Sequence, residues 1–333
     1  MGDVILRIKD LTKKFGHKTI LNKVNLDIKS GEIFGIIGLS GSGKTTLLNT
    51  IIGFLHPEGG DVMFKLEHLL DYKDDTLSYR SVFKNTDDIK KSFGFAAQSP
   101  SFYRKLTSME NLSYFGDLYN LSSDVKKTNS EILLQLMGIY ESRNLQASNM
   151  SGGMQKRLDI ACALIHDPKL LILDEPTSDL DPILRKQMWY LIKQINEKGT
   201  TIILSSHFLD ELELLCDRVG ILYEGQIIKA GTPNEIKNYY SKEEEIRLET
   251  SPGKYNKIIN ALKKDTKELS IKRMAIEDNK LIIYTQKAER SLHQVLHILE
   301  NQDEILIDVT VEKPTLHEVL ERLITTKKNE KDN

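Results

Sequence analysis

Residues 38–45 have the types and spacing of a phosphate-binding loop. They fit the pattern G-x-x-x-x-G-K-[ST] and consist of Gly38, Leu39, Ser40, Gly41, Ser42, Gly43, Lys44 and Thr45. Glycines allow backbone N–H groups to point at phosphate oxygens, and the N-terminus of a following helix adds partial positive charge. Lys44 can reach the β and γ phosphates, and the Thr45 hydroxyl can bind Mg²⁺. The pattern therefore predicts a phosphate site.

The residues on either side of this loop support the prediction. An apolar strand candidate, Ile33–Ile37, precedes the loop, and a helical pattern opens at Thr46. A glycine-rich turn beside a surface lysine would require neither element, so we prefer the phosphate site.

Two adjacent carboxylates follow another apolar run. Residues 170–173 are Leu, Leu, Ile and Leu, and Asp174 and Glu175 come next. A buried strand of this kind delivers acidic side chains to the carboxyl edge of a parallel sheet. One carboxylate can hold Mg²⁺ through its water shell while the second is aimed at an attacking water, which suits phosphoryl transfer.

The elements that must position these residues alternate along the chain. From residue 4 to about residue 230, short apolar runs alternate with helical patterns, which is typical of an α/β domain with a largely parallel sheet. A helix is predicted over residues 182–198, because Asp181 can cap it and Gly199 follows its end. The strand candidates are Ile33–Ile37, 93–97, 170–173 and Thr201–Ser205.

A short stretch before the strand that ends at Asp174 and Glu175 carries a family resemblance. Ser151, Gly152 and Gly153 are followed by Met154 and Gln155. Ser151 can cap a helix, and the two glycines let the backbone approach an anion, so the phrase reads as a second phosphate site. The stretch resembles the signature of the ATPase subunits of ATP-binding cassette (ABC) transporters, which implies a P-loop NTPase fold with a helical subdomain. In that family this site faces the ATP held by the other subunit.

Further residues match the family pattern in order over residues 4–240. The resemblance implies that Phe15 stacks on adenine and that Gln98 joins the metal site to a transmembrane contact. It also implies that residues 178–181 cross the dimer and that His207 is a switch histidine. Taken singly, Phe15 could be a packing residue, Gln98 a solvated loop amide and His207 a capping residue.

The resemblance implies ATP and Mg²⁺ as cofactors and assigns the site residues. The catalytic set is Glu175, His207, Gln98 and Lys44. The metal set is Thr45, Gln98 and Asp174. The nucleotide-binding set is Phe15, Gly38, Leu39, Ser40, Gly41, Ser42, Gly43, Lys44, Thr45, Thr46, Ser151, Gly152 and Gly153.

Three further segments resemble the drug- and polysaccharide-exporter branch or depart from it. Residues 102–112 are similar to the start of the helical subdomain, with Thr107 and Glu110 as a capping box, and residues 313–320 are similar to the branch's closing phrase. Residues 64–92 are longer than usual, and we expect a surface insertion there. Phe15 stands where tyrosine is usual, which keeps the aromatic face.

The C-terminal third predicts a separate small α+β domain. We expect domains at residues 1–240 and 241–326, with a disordered tail at 327–333. The predicted order is strand 246–250, helix 253–264, strand 269–276, strand 280–286, helix 288–299 and strand 304–312. This is the split βαβ order of a ferredoxin-like domain.

Composition limits the possible partners. The chain has 333 residues, 46 Lys and Arg against 48 Asp and Glu, and a formal net charge of -2, so nucleic acid is not an expected partner. Cys162 and Cys216 read as packed free thiols, and the sequence shows no membrane span or signal peptide. We expect a cytoplasmic protein, peripheral on the cell membrane through a separate permease, paired with a second copy or a paralogue.

Two other readings stay open at this stage. One is a soluble member of the superfamily that acts on nucleic acid or ribosomes, which the short segment between Gln98 and Ser151 and the single cassette oppose. The other is a regulatory nucleotide-gated binder, which the presence of Glu175 and His207 disfavours.

Overall fold

The computed structural model divides into two compact units, Met1–Pro233 and Asn234–Asn333. It describes residues 3–66, 78–84, 89–240, 244–263, 270–277, 279–302, 304–313, 315–316, 318 and 320, with the backbone alone at 239–240. None of the described helices is long and apolar enough to cross a membrane.

The first unit is built around a six-stranded sheet. Its order is β10-β9-β3-β8-β7-β6, and only the edge strand β10 runs antiparallel to its neighbour. These strands are β3 (Ile33–Ile37), β6 (Phe93–Ala96), β7 (Leu170–Asp174), β8 (Thr201–Ser205), β9 (Arg218–Tyr223) and β10 (Gln226–Gly231). Every residue of β3, β7 and β8 is buried, as expected of parallel strands covered on both faces. The four predicted strands are confirmed, with one-residue shifts at the ends of β6 and β7.

The first unit also contains an antiparallel sheet of four strands, two before the phosphate loop in sequence and two after it. Its order is β2-β1-β4-β5, and its strands are β1 (Val4–Phe15), β2 (Lys18–Lys29), β4 (Gly59–Lys65) and β5 (Tyr79–Ser81). Residues 64–92 are therefore not simply a surface insertion, because β5 pairs with β4 and both Tyr79 and Val82 are buried. Apolar side chains inside the segment give it a place in the core. Residues 67–77 and 85–88, which carry its polar stretches, lie outside the described residues.

Helices cover the sheet and form a helical subdomain. They are α1 (Lys44–Ile51), α2 (Ser108–Leu118), α3 (Ser123–Leu136), α4 (Gly152–Leu164), α5 (Pro182–Glu197) and α6 (Leu209–Leu215). The next helix, α7 (Pro233–Tyr240), begins at the last residue of the first unit and otherwise belongs to the second. The predicted capping box of Thr107 and Glu110 opens α2. The side chain of Asp181 caps α5 as predicted, accepting hydrogen bonds from the N–H groups of Ile183 and Leu184.

The second unit has the predicted ferredoxin-like order. Its strands β11 (Glu244–Ser251), β12 (Ile271–Glu277), β13 (Lys280–Thr285) and β14 (Ile305–Glu312) form an antiparallel sheet in the order β12-β13-β11-β14. The helices α8 (Tyr255–Leu262) and α9 (Ala288–Glu300) share a core with it, in which Ile246, Ile258 and Leu281 are fully buried. The domain limits at residues 240 and 326 stay a prediction, and the 327–333 tail lies outside the described residues.

Candidate functional site

The phosphate loop connects the buried strand β3 to helix α1. Gly38 touches its surroundings so closely that a Cβ there would lie 2.4 Å from Ser42 Oγ and 2.6 Å from the Leu222 carbonyl oxygen. Gly43 has a φ of 105°, which strains any L side chain. Glycine at both positions therefore lets the backbone close into the loop that places Lys44 at the start of α1.

The Lys44 ammonium lies between the loop and an acidic side chain. It donates hydrogen bonds to the carbonyl oxygens of Gly38 (2.9 Å) and Leu39 (3.4 Å). Its Nζ is 3.9 Å from Oε1 of Glu175, and both side chains are nearly buried. Because both side chains are nearly buried, water screens the attraction between their opposite charges only weakly.

The two carboxylates after β7 have different surroundings. Asp174 is 1% exposed, and its Oδ1 accepts a hydrogen bond from Ser205 Oγ at 2.6 Å. The same serine oxygen accepts the N–H of Glu175 at 3.1 Å. Oδ2 of Asp174 is buried without a hydrogen-bond partner among the described residues. A buried oxygen of this kind fits a cation or a cation-bound water, because an unpaired buried acceptor is otherwise costly.

Glu175 contacts His207 across the ends of β7 and β8. Oε2 of Glu175 lies 2.5 Å from Nδ1 of His207. Glu175 has a φ of 53°, an uncommon conformation for a non-glycine residue that is seen often at functional sites. The imidazole is about half exposed, so its other nitrogen can face a bound molecule.

A single cleft of about 610 Å³ gathers most of the predicted site. Its walls are formed by Phe15, Ile20, Ser40, Gly41, Gly43, Lys44, Thr45, Thr46, Gln98, Glu175 and His207. Phe15 is 51% exposed at the end of β1, and Lys13 Nζ lies 5.3 Å from its ring centroid. Ile20 was not foreseen, because a β-branched residue on a strand carries no sign of ligand contact.

The signature residues lie elsewhere in the first unit. Ser151 caps α4, which begins at Gly152, by accepting a hydrogen bond from the Met154 N–H, as predicted. Ser151 and Gly152 are exposed, and a Cβ on Gly152 would meet nothing within 4 Å. Neither they nor Gly153 line the cleft that holds Lys44 and Glu175.

Helix α4 also holds the loop that carries Gln98. Lys156 Nζ donates to the Gln98 carbonyl oxygen at 2.7 Å. Asp159, 2% exposed, accepts hydrogen bonds at 2.8 Å from both the N–H and the hydroxyl of Ser101. Burial raises the pKa of the Asp159 carboxyl. The signature helix and the Gln98 loop are thus fastened together, although nothing in the sequence pattern had indicated Lys156 or Asp159.

The candidate metal ligands suit an open Mg²⁺ site, completed by waters and phosphates, better than a site made wholly of protein side chains. No group of three or more His, Cys, Asp and Glu side chains suited to a metal occurs in the part of the chain that the structure describes. Mg²⁺ is usually held by one or two carboxylates together with waters and substrate phosphates. Asp174, with its unpaired Oδ2, and Thr45, which lines the cleft, are donors of this kind.

The two cysteines behave as the sequence predicts. Cys162 and Cys216 are both free and buried. Burial raises the pKa of each thiol well above its ordinary value, so both stay protonated and unreactive.

Comparisons with known proteins agree with this geometry. Residues 21–178 match the family model described as ABC transporter. The linearmycin resistance ATP-binding protein LnrL of Bacillus subtilis (strain 168) is 34% identical over 232 residues, which are 70% of each chain. The bacitracin transport ATP-binding protein BcrA of Bacillus licheniformis is 35% identical over 73% of this chain and 75% of its own length.

Solved structures give the same answer. The ATP-binding subunit of an ABC transporter superposes with a TM-score of 0.61 at 27% identity, over 71% of this chain and 93% of that one. An ATP-binding cassette in its ADP conformation superposes with a TM-score of 0.61 at 26% identity, over 71% of this chain and 94% of that one.

Proposed function

This chain belongs to the ABC transporter family of ATP-binding proteins, and we propose that it hydrolyses ATP to power export through a separate membrane permease. The observation that carries the proposal is the cluster of Lys44, Glu175 and His207 at one phosphate loop. Linearmycin resistance and bacitracin transport, named for the relatives, support export of an antimicrobial compound. The readings as a ribosome- or nucleic-acid-acting ATPase and as a regulatory binder find no support in these relatives.

Binding of ATP would use both ends of the cleft. The exposed ring of Phe15 offers its face to adenine, while the loop N–H groups and Lys44 face the phosphates. Thr45, Gln98 and Asp174 would hold Mg²⁺, which when bound neutralises charge on the phosphate oxygens. These assignments follow the family pattern and the lining of the cleft.

Hydrolysis would proceed through Glu175 and His207. Glu175 orients a water and takes its proton as the water oxygen bonds to the γ-phosphorus and the bond to the bridging oxygen of ADP breaks. His207, held by the 2.5 Å contact to Glu175, steadies the γ-phosphate. Lys44 offsets the negative charge that spreads over the leaving group.

ABC ATPase subunits of transporters pair with a permease and usually dimerise, and we infer the same here. Ser151 and Gly153 would complete the site of a second copy or a paralogue, which would explain why both lie away from their own cleft and why Ser151 is exposed. Placement at the cytoplasmic face of the cell membrane would follow from binding the permease.

The permease contact is proposed around residues 98–121. Tyr103 and Tyr114 are 49% and 39% exposed, and their hydroxyls are 3.0 Å apart. Beside them, a groove of about 390 Å³ is lined by residues that include Phe54 and Phe115. Phe102 is buried and Tyr119 stacks on His166, so these two aromatic residues pack within the subdomain. An exposed aromatic patch of this kind suits a protein partner.

ATPase measurements on the purified chain test the proposal. We expect steady ATP turnover that membrane vesicles containing the permease stimulate and that RNA does not. Lys44→Ala should lower turnover by about a hundredfold or more, because the γ-phosphate charge loses its cation. Lys193→Ala, on the exposed face of α5, is the matched control and should keep the parental rate. A Lys44→Ala variant with parental turnover would refute the assignment.

A further inference from the structure

Glu211 is a buried acid in the first unit that the hydrolysis scheme does not use. It lies on the short helix α6 and is 3% exposed. Its Oε2 accepts two hydrogen bonds, from Thr177 Oγ1 at 2.6 Å and from Ser206 Oγ at 3.1 Å. Burial of a carboxylate is costly unless its charge is answered, so this arrangement calls for a reason beyond packing.

The two hydroxyls belong to residues next to the proposed catalytic pair in sequence, one near Glu175 and one beside His207. Thr177 is two residues after Glu175, and Ser206 immediately precedes His207. Both are 1% exposed. Ser206 Oγ also accepts the N–H of Phe208 at 3.0 Å, which fixes the turn around His207. One carboxylate oxygen therefore joins the backbone segments that carry Glu175 and His207.

Arg185 forms an ion pair with the same carboxylate. Its Nε lies 3.4 Å from Oε1 of Glu211. Its Nη2 donates to the Leu180 carbonyl oxygen at 3.1 Å, within the 178–181 loop. Its guanidinium carbon is 3.7 Å from the ring centroid of Phe208, the residue after His207. Arg185 thus connects the 178–181 loop and the His207 turn to Glu211.

We infer that Glu211 is a positioning residue that sets the distance between Glu175 and His207 and couples it to the 178–181 loop. The inference rests on the proposed function, since it concerns the rate of the same hydrolysis. Glu211 is not among the residues that line the cleft, so it would act through Thr177, Ser206 and Arg185. Its loss should lower kcat and leave ATP binding nearly intact.

A pair of variants at Thr177 isolates the positioning effect. Thr177→Val keeps the side-chain shape and removes the hydroxyl, whereas Thr177→Ser keeps the hydroxyl. A hydrogen bond to a charged group makes a difference of about tenfold or more, so Thr177→Val should lower kcat by that factor. KM for ATP should change by less than about threefold, because the loop and Phe15 are untouched. Thr177→Ser should restore kcat.

Variants on α6 complete the test. Glu211→Gln presents an amide to Arg185 and should lower kcat at least as much as Thr177→Val. The double variant Thr177→Val/Glu211→Gln should be no slower than Glu211→Gln alone, because both changes break one connection. Asp210→Asn, an exposed neighbour on the same helix, is the control and should retain the parental kcat.

The outcomes separate this inference from the proposed function. Parental kcat in Thr177→Val, equal losses in Thr177→Val and Thr177→Ser, or a rise in KM that matches the fall in kcat would overturn it while the parent still hydrolyses ATP. A parent chain without ATP turnover would overturn the proposed function and this inference with it. If Glu211→Gln does not fold, the Thr177 pair alone decides.

Discussion

Single side chains in the cleft combine polar contacts with one aromatic face. Lys44 and Glu175 supply opposite charges near the loop, while one buried oxygen of Asp174 has no hydrogen-bond partner in the part of the chain that the structure describes. Phe15 is different, because it is half exposed and its contacts with the rest of the unit include a cation–π approach from Lys13. An exposed ring at the rim of a phosphate site is suited to stacking on a base.

Phe15 therefore makes the first prediction. Phe15→Ala should weaken ATP binding by roughly five- to 150-fold, since base–aromatic stacking is worth about 1–3 kcal/mol. Phe15→Tyr should bind as the parent does, because the aromatic face is kept. GTP should lose as much affinity as ATP, since each base has a stacking face. Titration calorimetry measures these nucleotide affinities. An unchanged affinity for ATP in Phe15→Ala would show that the ring does not contact the nucleotide.

Some of these residues were predictable and others were not. The loop residues and the acidic pair follow a strict pattern that a linear sequence displays. Ser205 and Glu211 do not, because a serine at a strand end and a glutamate on a helix become significant only when β7, β8 and α6 meet. The Ser205–Asp174 and Thr177–Glu211 hydrogen bonds join residues 31 and 34 positions apart in sequence, and no local period encodes such distances.

At the scale of elements, helix α4 connects several parts of the first unit. It begins at the signature and holds the Gln98 loop through Lys156 and Asp159. Just beyond its end, His166 stacks on Tyr119 of the helical subdomain with ring centroids 3.5 Å apart. One ring nitrogen of His166 meets the Phe93 carbonyl oxygen at 3.0 Å. The helix therefore links the sheet, the subdomain and the site.

His166 gives the chain a pH dependence of stability. Burial lowers its pKa from 6.5 to about 4. Protonation would charge Nδ1, which is buried without a partner among the described residues. Because the folded pKa lies below the unfolded value, stability is fully present above pH 6.5 and falls as the pH drops toward about 4. At about pH 5 the loss should reach at most about 2 kcal/mol.

Urea unfolding at about pH 7.5 and about pH 5 checks this prediction. His166→Phe keeps a ring against Tyr119 and cannot be protonated, so it should lose less stability between the two pH values than the parent. His17→Gln, at an exposed position, should behave as the parent. A His166→Phe variant with the full parental pH dependence would contradict the assignment.

Periodicity predicted most elements but not their partners. The four predicted parallel strands and α5, all in the first unit, are long or sharply bounded, and each is present as predicted. Strand β5 spans only Tyr79–Ser81, too short for a period to be visible. It forms because the edge of β4 offers unpaired backbone groups, which is a property of the folded sheet.

At the scale of the whole molecule, the two units have separate sheets. Both sheets of the first unit are complete by Gly231, and among the described residues the strands of the second unit pair with one another. The apolar cores are likewise separate. A chain with this organisation should tolerate division between the units.

Truncation after Tyr240 tests that organisation. The shortened chain should remain soluble, melt cooperatively and bind ATP with an affinity within about threefold of the parent, because the cleft lies wholly in the first unit. Circular dichroism measures the cooperative melting, and calorimetry measures the affinity for ATP. An insoluble product, or one that has lost ATP binding, would show that the predicted domain limits are wrong.

In the proposed mechanism, hydrolysis at Glu175 ends an ATP-bound state that a second chain helps to close. Glu175→Gln keeps the shape of the side chain but cannot take the proton of the attacking water, so turnover should fall by about a hundredfold or more. ATP would still bind, and Ser151 of each copy would still face its partner's nucleotide. Asp210→Asn serves as the control for loss of an acid outside the cleft.

Size-exclusion chromatography of Glu175→Gln with Mg²⁺ and either ATP or ADP is the most direct measurement. We expect the 38.0 kDa chain to elute at twice its mass in ATP and as a monomer in ADP, with almost no phosphate released. A variant that stays monomeric in ATP would contradict the homodimer and favour a paralogue as the second chain. A variant that hydrolyses ATP at the parental rate would contradict the central claim.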